Sequence, residues 1–320
     1  MSRKLVLMLT LTLLIGTLDL SFEVQRVEAS GTIYIRADGS IDPPTAPIST
    51  IDNITYSSTG NINDSIIIER DNIVVDGARY TVTGNGYSGN GITLTDRNNV
   101  TVRNMTIKNF YIGTYLYSSS NNVLSGNSVT NNSYGILLVS SSNNVLSGNN
   151  VTANNGNGIY LLTPSYLLTS SDNNTLSDNN IANNNAAIEL DSSDDNVLSG
   201  NNITNSGISV ELVSSSGNSI YHNNFINNTQ QALTSEGYTN SWNESYPSGG
   251  NCWSDCNGTD ANHDGIGDTP YIIDANNTDN YPLMVPYTIP EFPAFLILPL
   301  FFIATLLAVI VQRRKHPRAR

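Results

Sequence analysis

From Asn122 to Phe225 apolar and polar positions alternate in runs of three to six residues, broken by Asn, Ser and Gly, and the whole pattern recurs. Asn122-Val-Leu-Ser-Gly-Asn-Ser-Val129 returns as Asn144-Val-Leu-Ser-Gly-Asn-Asn-Val151, Asn174-Thr-Leu-Ser-Asp-Asn-Asn-Ile181 and Asn196-Val-Leu-Ser-Gly-Asn-Asn-Ile203, with Asn218-Ser-Ile-Tyr-His-Asn-Asn-Phe225 as a divergent copy. The period is 22 residues, with one step of 30 between Asn144 and Asn174, so Thr163–Ser170 is expected to leave as a loop. A second apolar run marks each repeat: Gly113–Tyr117, Gly135–Val139, Gly158–Leu162, Ala187–Asp191 and Ser209–Val213. Runs this short, rich in β-branched residues and alternating with period two, predict strands. A unit of two or three such strands cannot bury its own apolar face, but stacked units can. The fold class is therefore all-β: a right-handed single-stranded parallel β-helix, a solenoid of about 22-residue coils.

That register sorts side chains into columns. Leu116, Leu138, Leu161, Leu190 and Leu212 are expected to stack inside. Leu124, Leu146, Leu176, Leu198 and Ile220 form a second column, and Val129, Val151, Ile181, Ile203 and Phe225 a third. Asn127, Asn149, Asn179, Asn201 and Asn223 recur at one turn, where amides can hydrogen-bond along the axis and tolerate a left-handed backbone. These asparagines are structural.

Both chain ends break the pattern. Arg3 and Lys4 precede the apolar stretch Leu5–Gly16, and Val27-Glu28-Ala29 offers a small-residue cleavage site, so 1–29 reads as a signal peptide. Residues 30–65 are expected to cap the N-terminal end, 66–235 to form the repeats and 236–288 to form a C-terminal cap. Phe292–Val311 is uncharged and long enough to span a bilayer, giving a C-terminal transmembrane helix at 289–312. The basic tail 313–320 is then cytoplasmic and the repeats extracellular. In an oxidising compartment Cys252 and Cys256 are expected to pair as a short-loop disulfide. About a dozen Asn-x-Ser/Thr sites permit glycosylation, although Asn and Thr are common in this repeat for other reasons.

The formal net charge is −13, and no Lys or Arg occurs from Asn109 to Gln312. Such a surface suits neither strand of a phosphate backbone, so nucleic acid is not an expected partner. Two places could carry chemistry. Asp260-Ala-Asn262-His-Asp264-Gly-Ile266-Gly-Asp268 sets oxygen donors at the spacing of the first part of a calcium loop, with the Ile266 carbonyl among them. Tyr271 stands where the closing glutamate would be, leaving Asp255 or Asp274 to complete the shell. The other place is an outward strip: Thr93, Tyr115, Leu137, Tyr160, Glu189 and Glu211 in one column, and Thr95, Tyr117, Val139, Leu162, Asp191 and Val213 beside it. Tyrosine rings can stack on sugar faces and carboxylates can bind hydroxyls. Glu189 and Glu211, one coil apart, should raise one another's pKa. Glu189, Asp191 and Glu211 are thus the candidates if the chain hydrolyses glycosides; Tyr115, Tyr117, Tyr160, Glu189 and Glu211 are the candidates if it only binds glycan.

The Asn-Asn-x-(Leu/Ile)-Ser-Gly-Asn-Asn-(Ile/Val) coil resembles the repeat of pectin-lyase-like parallel β-helices. It is most similar to the NosD-like branch of carbohydrate-binding and sugar-hydrolysis repeats, over most of residues 30–285. Ile33–Gly39, Gly258–Tyr271 and Pro290-Glu291-Phe292 look like archaeal surface members with a PEF-type C-terminal anchor. The resemblance implies a glycan-binding surface protein, with glycoside hydrolysis, copper-site assembly as for NosD itself, or a structural surface-layer role as alternatives. Copper requires imidazole, thiolate or thioether ligands. His222, His263 and His316 do not pair at ligand spacing, and Met105 and Met284 lie far apart, so the sequence argues for calcium and against copper.

Overall fold

The structure, a computed structural model, describes residues 31–288 with the exception of Tyr87. The signal peptide, the 289–312 segment and the 313–320 tail lie outside the described residues. Every regular element described is a strand, and among the described residues no helix is long and apolar enough to cross a membrane.

Each coil makes three strands, as in Ile112–Tyr117, Val123–Ser125 and Ser128–Thr130 before the next begins at Tyr134. Corresponding strands pair in parallel, building a ten-, a nine- and an eight-stranded sheet. The ten-stranded sheet holds the six-residue strands and is called here the long-strand sheet; Val123–Ser125 lies in the second sheet and Ser128–Thr130 in the third. Inside, the expected columns form in register: Leu116 pairs with Leu138, Leu124 with Leu146, and Val129 with Val151. These inward residues are essentially free of solvent, each worth roughly 1.5–3 kcal/mol on burial.

Parallel stacking begins earlier than the tight repeat suggests, because Ile33–Ile35 already pairs with Ile66–Ile68. An antiparallel strand, Ile41–Asp42, closes that edge, and Arg36 ties Asp42 to Glu69. At the other end Cys252–Trp253 extends the third sheet, and Trp253 stacks on Phe225 at 4.5 Å and on Tyr271 at 4.3 Å. Large rings cover the open end of the solenoid where further coils would have continued it.

The turn asparagines do form a ladder. Asn149 donates its backbone N–H (3.0 Å) and its Nδ2 (3.0 Å) to Asn179 Oδ1, and Asn179 repeats this with Asn201. Each Nδ2 also reaches a carbonyl of the preceding coil, as Asn179 does to Leu146 at 2.8 Å. The left-handed conformation, however, falls on the residue before each asparagine: Gly126, Gly148, Asp178, Gly200 and His222, with φ from 57° to 67°. The asparagine itself is extended because its side chain must point inward. A second buried ladder runs through Asn122, Asn144, Asn174, Asn196, Asn218 and Asn240.

Candidate functional site

The outward strip lies on the long-strand sheet. Strand alternation turns Leu116, Leu138 and Leu161 in and their neighbours out. Pairing follows the expected register: Tyr115 with Leu137, Leu137 with Tyr160, Tyr160 with Glu189 and Glu189 with Glu211. In the neighbouring column Tyr117 pairs with Val139 and Leu162 with Asp191. The strip is aromatic toward the N-terminal coils and acidic toward the C-terminal ones, with Tyr160 at the junction.

Residues beyond the expected set knit this junction. Asn157, at the start of the Tyr160 strand, donates Nδ2 to Glu189 in a short hydrogen bond. The Tyr160 hydroxyl points at Asp191 Oδ2 from 3.5 Å. Burial pushes the Glu189 carboxyl up; the Asn157 bond opposes this, and the charges of Glu211 and Asp191 add to it. Burial, Glu189 and Asp191 together push the Tyr160 phenol far up, so it stays a donor. Tyr134 stacks loosely on Tyr160 at 6.5 Å and 24°, and Tyr111 meets Tyr134 edge-on at 5.6 Å. One face of Tyr160 is therefore taken by a ring of the protein itself, and its hydroxyl edge is what it offers a ligand. Tyr115 and Tyr117, 6.3 Å apart and tilted by 40°, remain half-exposed. Asn157 and Tyr134 escape the sequence reading because they stand before the conspicuous Gly-led run, although their pairing column, Ile112–Tyr134, is as regular as the others.

The Asp260–Asp268 segment folds as a tight turn around Gly265, whose φ is +88°. Asp260 accepts from the N–H of Asp264 (3.2 Å) and Gly265 (2.9 Å), Asp264 from that of Ile266 (2.9 Å), and Asp268 from that of Ala261 (2.7 Å). The Ile266 N–H, ahead of other contacts, draws the Asp264 carboxyl below its ordinary range. Asn262, Asp264, Ile266 and Asp268 line one cavity of about 200 Å³ with Tyr246 and Tyr281. Asp255 and Asp274, the acids expected to complete the shell, each accept hydrogen bonds in this structure. Asp255 receives the Tyr271 hydroxyl at 3.1 Å, and Asp274 accepts from Thr234 and Asn277.

Cys252 and Cys256 stand as free thiols in this structure, the first buried and the second half-buried. Cys252 is buried beside Trp253, and burial pushes its thiol up to about 11. His222 stacks on Tyr287 at 4.2 Å, with Nε2 at 2.9 Å from the Ser248 carbonyl, while His263 sits in a left-handed turn of the acidic loop.

Among solved structures the chain is similar to the A-module of mannuronan C-5 epimerase from Azotobacter vinelandii, at 16% identity and a TM-score of 0.41 over 55% of this chain and 57% of that one. It is also similar to a tailspike protein of an E. coli bacteriophage, at 13% identity and a TM-score of 0.45 over 59% and 39%. A third is an alginate lyase from Paenibacillus, at 12% identity and a TM-score of 0.33 over 61% and 96%. The chain thus spans just over half of the first structure and less than half of the second. No curated protein matches it in sequence. The profile of the family described as "Periplasmic copper-binding protein (NosD)" matches residues 33–258. That match takes in nearly every coil of the solenoid, both amide ladders and the whole outward strip, and the chain belongs to the NosD family.

Proposed function

We propose that this protein is an exported, membrane-anchored β-helix that binds glycan on the outward face of its long-strand sheet. One observation carries the reading: tyrosine hydroxyls, an amide and three carboxylates stand in register on adjacent coils, with Glu189 already held by Asn157 and Tyr160 directed at Asp191. Coils repeat at about 4.8 Å, close to the length of one sugar unit, so a polymer laid along the axis would meet one outward position of the strip at each step. The signal-like N-terminus and the apolar 292–311 run support export and anchoring.

The family description names copper, but among the described residues the imidazole and thioether donors are scattered, and no third His, Cys, Asp or Glu joins the thiols of Cys252 and Cys256. The His222 ring is stacked on Tyr287 and directed at the Ser248 carbonyl, Met105 is buried in the core, and His263 lies on a separate loop. Calcium at Asp260, Asn262, Asp264, the Ile266 carbonyl and Asp268 is part of the proposal, supported by donor spacing and by the cavity that Asn262, Asp264, Ile266 and Asp268 share. Binding would draw the carboxylates off the loop N–H groups. An unfolding temperature unmoved by EDTA, and by Asp264→Ala, removes calcium from the account.

A second reading, glycoside hydrolysis, is favoured by the raised Glu189 carboxyl one coil from Glu211. An array of neutral, acidic and amino-sugar oligosaccharides tests the first reading, and a reducing-end assay on the bound glycans tests the second. Retention that drops at least tenfold in Glu211→Gln is the expected result. Product formation lost in Glu189→Gln selects hydrolysis; no retention by the full chain rejects both.

A further inference from the structure

The turn after the long strand is closed alike in four coils by the N–H groups of Ser118, Ser140, Thr163 and Ser192, and Ser214 ends the row with its N–H on Ser235 Oγ. The four serines adopt left-handed φ near 50°. Ser118, Ser192 and Ser214 are half-exposed, as a surface turn should be. Ser140 is 3% exposed, and its Oγ is the one buried side-chain polar atom among the described residues with no hydrogen-bond partner. Beside it Val139, an outward residue, is 6% exposed, whereas its column neighbours Tyr117 and Leu162 are half-exposed.

Both anomalies sit under the extra loop, Thr163–Ser170. One foot of the loop, Thr163, follows Ser140 in the row, since the Ser140 N–H donates to the adjoining Leu162 carbonyl. At the other foot, Ser142 donates Oγ to the Ser170 carbonyl (2.7 Å), and the Ser141 N–H reaches Ser171 Oγ (3.1 Å). The base is closed by the Ser171 N–H on Thr163 Oγ1 at 2.9 Å. The solenoid does not need the loop: strand pairing passes from Leu162 to Asp191 and from Val145 to Thr175 in unbroken register. Yet its tip is apolar and in water, with Tyr166 81% exposed and Leu168 fully so. The Tyr115 phenol is raised first by burial and then by Tyr117 and Tyr166. The loop rises from the column of Tyr117, Val139 and Leu162, beside the aromatic half of the strip. Residues 109–171, which make up that half and the loop, carry no charged side chain.

We propose that Tyr115, Tyr166 and the Ser140 hydroxyl form a subsite for an uncharged sugar ring, with the Thr163–Ser170 loop as its movable outer wall. It rests on the glycan-binding reading of the strip and adds where a ring is held and of what charge. When the loop lifts, the Ser140 hydroxyl gains the partner it lacks in the closed arrangement, a sugar hydroxyl. Tyr166 supplies the stacking face that Tyr160 has given up to Tyr134. The absence of any cation on these coils excludes a uronate at this position, and the absence of acids removes any preference for an amino sugar.

The test measures dissociation constants of the full chain for hexamers of β-1,4-glucose, β-1,3-glucose, mannose and N-acetylglucosamine, with hexagalacturonate as the anionic comparison. Wild type is expected to bind at least one neutral hexamer more tightly than hexagalacturonate. Ser140→Ala and Tyr166→Ala should each weaken that hexamer at least tenfold, and replacing Thr163–Ser170 by the short turn of the neighbouring coils should do the same. Unfolding temperatures of Ser140→Ala and Tyr166→Ala should stay unlowered, because Ser140 Oγ has no hydrogen-bond partner to lose and Tyr166 is 81% exposed. Affinity within twofold of wild type in Tyr166→Ala and in the shortened loop overturns the subsite. If Glu211→Gln still abolishes binding in that case, the strip reading stands alone. A preference for hexagalacturonate overturns the charge assignment, and no binding to any hexamer overturns the subsite together with the strip.

Discussion

Asn251 donates its backbone N–H to Asp279 Oδ2 at 2.8 Å, and at that bond the amide ladder from Asn127 through Asn223 ends. Every rung passes donors toward the C-terminal end, so the last rung needs an acceptor with nothing to donate in return. A carboxylate meets that need. Asp279 is fully buried and also accepts from Trp253 Nε1 (2.9 Å) and from the Tyr281 N–H (3.0 Å). Asp279→Ala orphans three buried donors at once, and a stability loss of about 3 kcal/mol or more is expected in denaturant titration. A loss below about 1 kcal/mol would mean that the cap does not hold the last coil.

Within the ladder, neighbouring asparagines should respond very differently. Asn179→Leu takes the acceptor from the Asn149 N–H and the amide donor from the Leu146 carbonyl, and leaves Asn201 Oδ1 with only the backbone N–H of residue 179, at an expected cost of about 3–5 kcal/mol. Asn180 is exposed and trades its amide only with Asn150 and Asn202 on the surface, so Asn180→Ala should cost less than about 0.5 kcal/mol. Thermal melts of the two variants side by side decide it; equal shifts would refute the assignment of the buried row to structure.

Glu189 gives the pH dependence. Its folded pKa is raised above the ordinary 4.5, by burial first. Folding therefore favours the protonated form, and stability from this group is complete below the ordinary value and declines as pH rises through the folded one. Glu189→Gln keeps an acceptor for Asn157 and removes the charge. The variant is expected to melt with wild type near pH 4 and above it at pH 7. A lower melting temperature at pH 7 would show that the ionised carboxylate is stabilising.

Reactivity should separate the two thiols. Cys252 is buried with its pKa pushed up to about 11, while Cys256 is half-buried at the rim of a cavity formed with Tyr271 and Gly258. Alkylation at pH 8 followed by peptide mass spectrometry is expected to mark Cys256 first. A native mass two hydrogens lower, with neither residue labelled, would instead establish the disulfide that export predicts.

Much of this was legible in the chain because a solenoid repeats its own grammar. The columns of Leu116, Leu124 and Val129 could be read by counting, since parallel in-register pairing places like residues on like. The outward pairs, Tyr160 with Glu189 and Glu189 with Glu211, follow from the same count. What counting could not supply was direction within a column. Tyr134 turns a face toward Tyr160, Asn157 reaches across to Glu189, and the loop leaves its coil beside Ser140. These depend on rotamers and on an insertion that obeys no repeat. The start of the solenoid at Ile33 was hidden for a related reason: its coils are held by isoleucine pairs without the Asn-Ser-Gly turn that marks later ones.

The most direct test of the account is hydrogen exchange of the full chain with and without the glycan that the array selects. Protection is expected in Ile112–Tyr117, Tyr134–Val139, Asn157–Leu162, Ala186–Asp191 and Ile208–Val213, together with the Thr163–Ser170 loop. Protection confined to the third sheet, around Asn150–Thr152 and Asn202–Thr204, would place the ligand on a different face and contradict it.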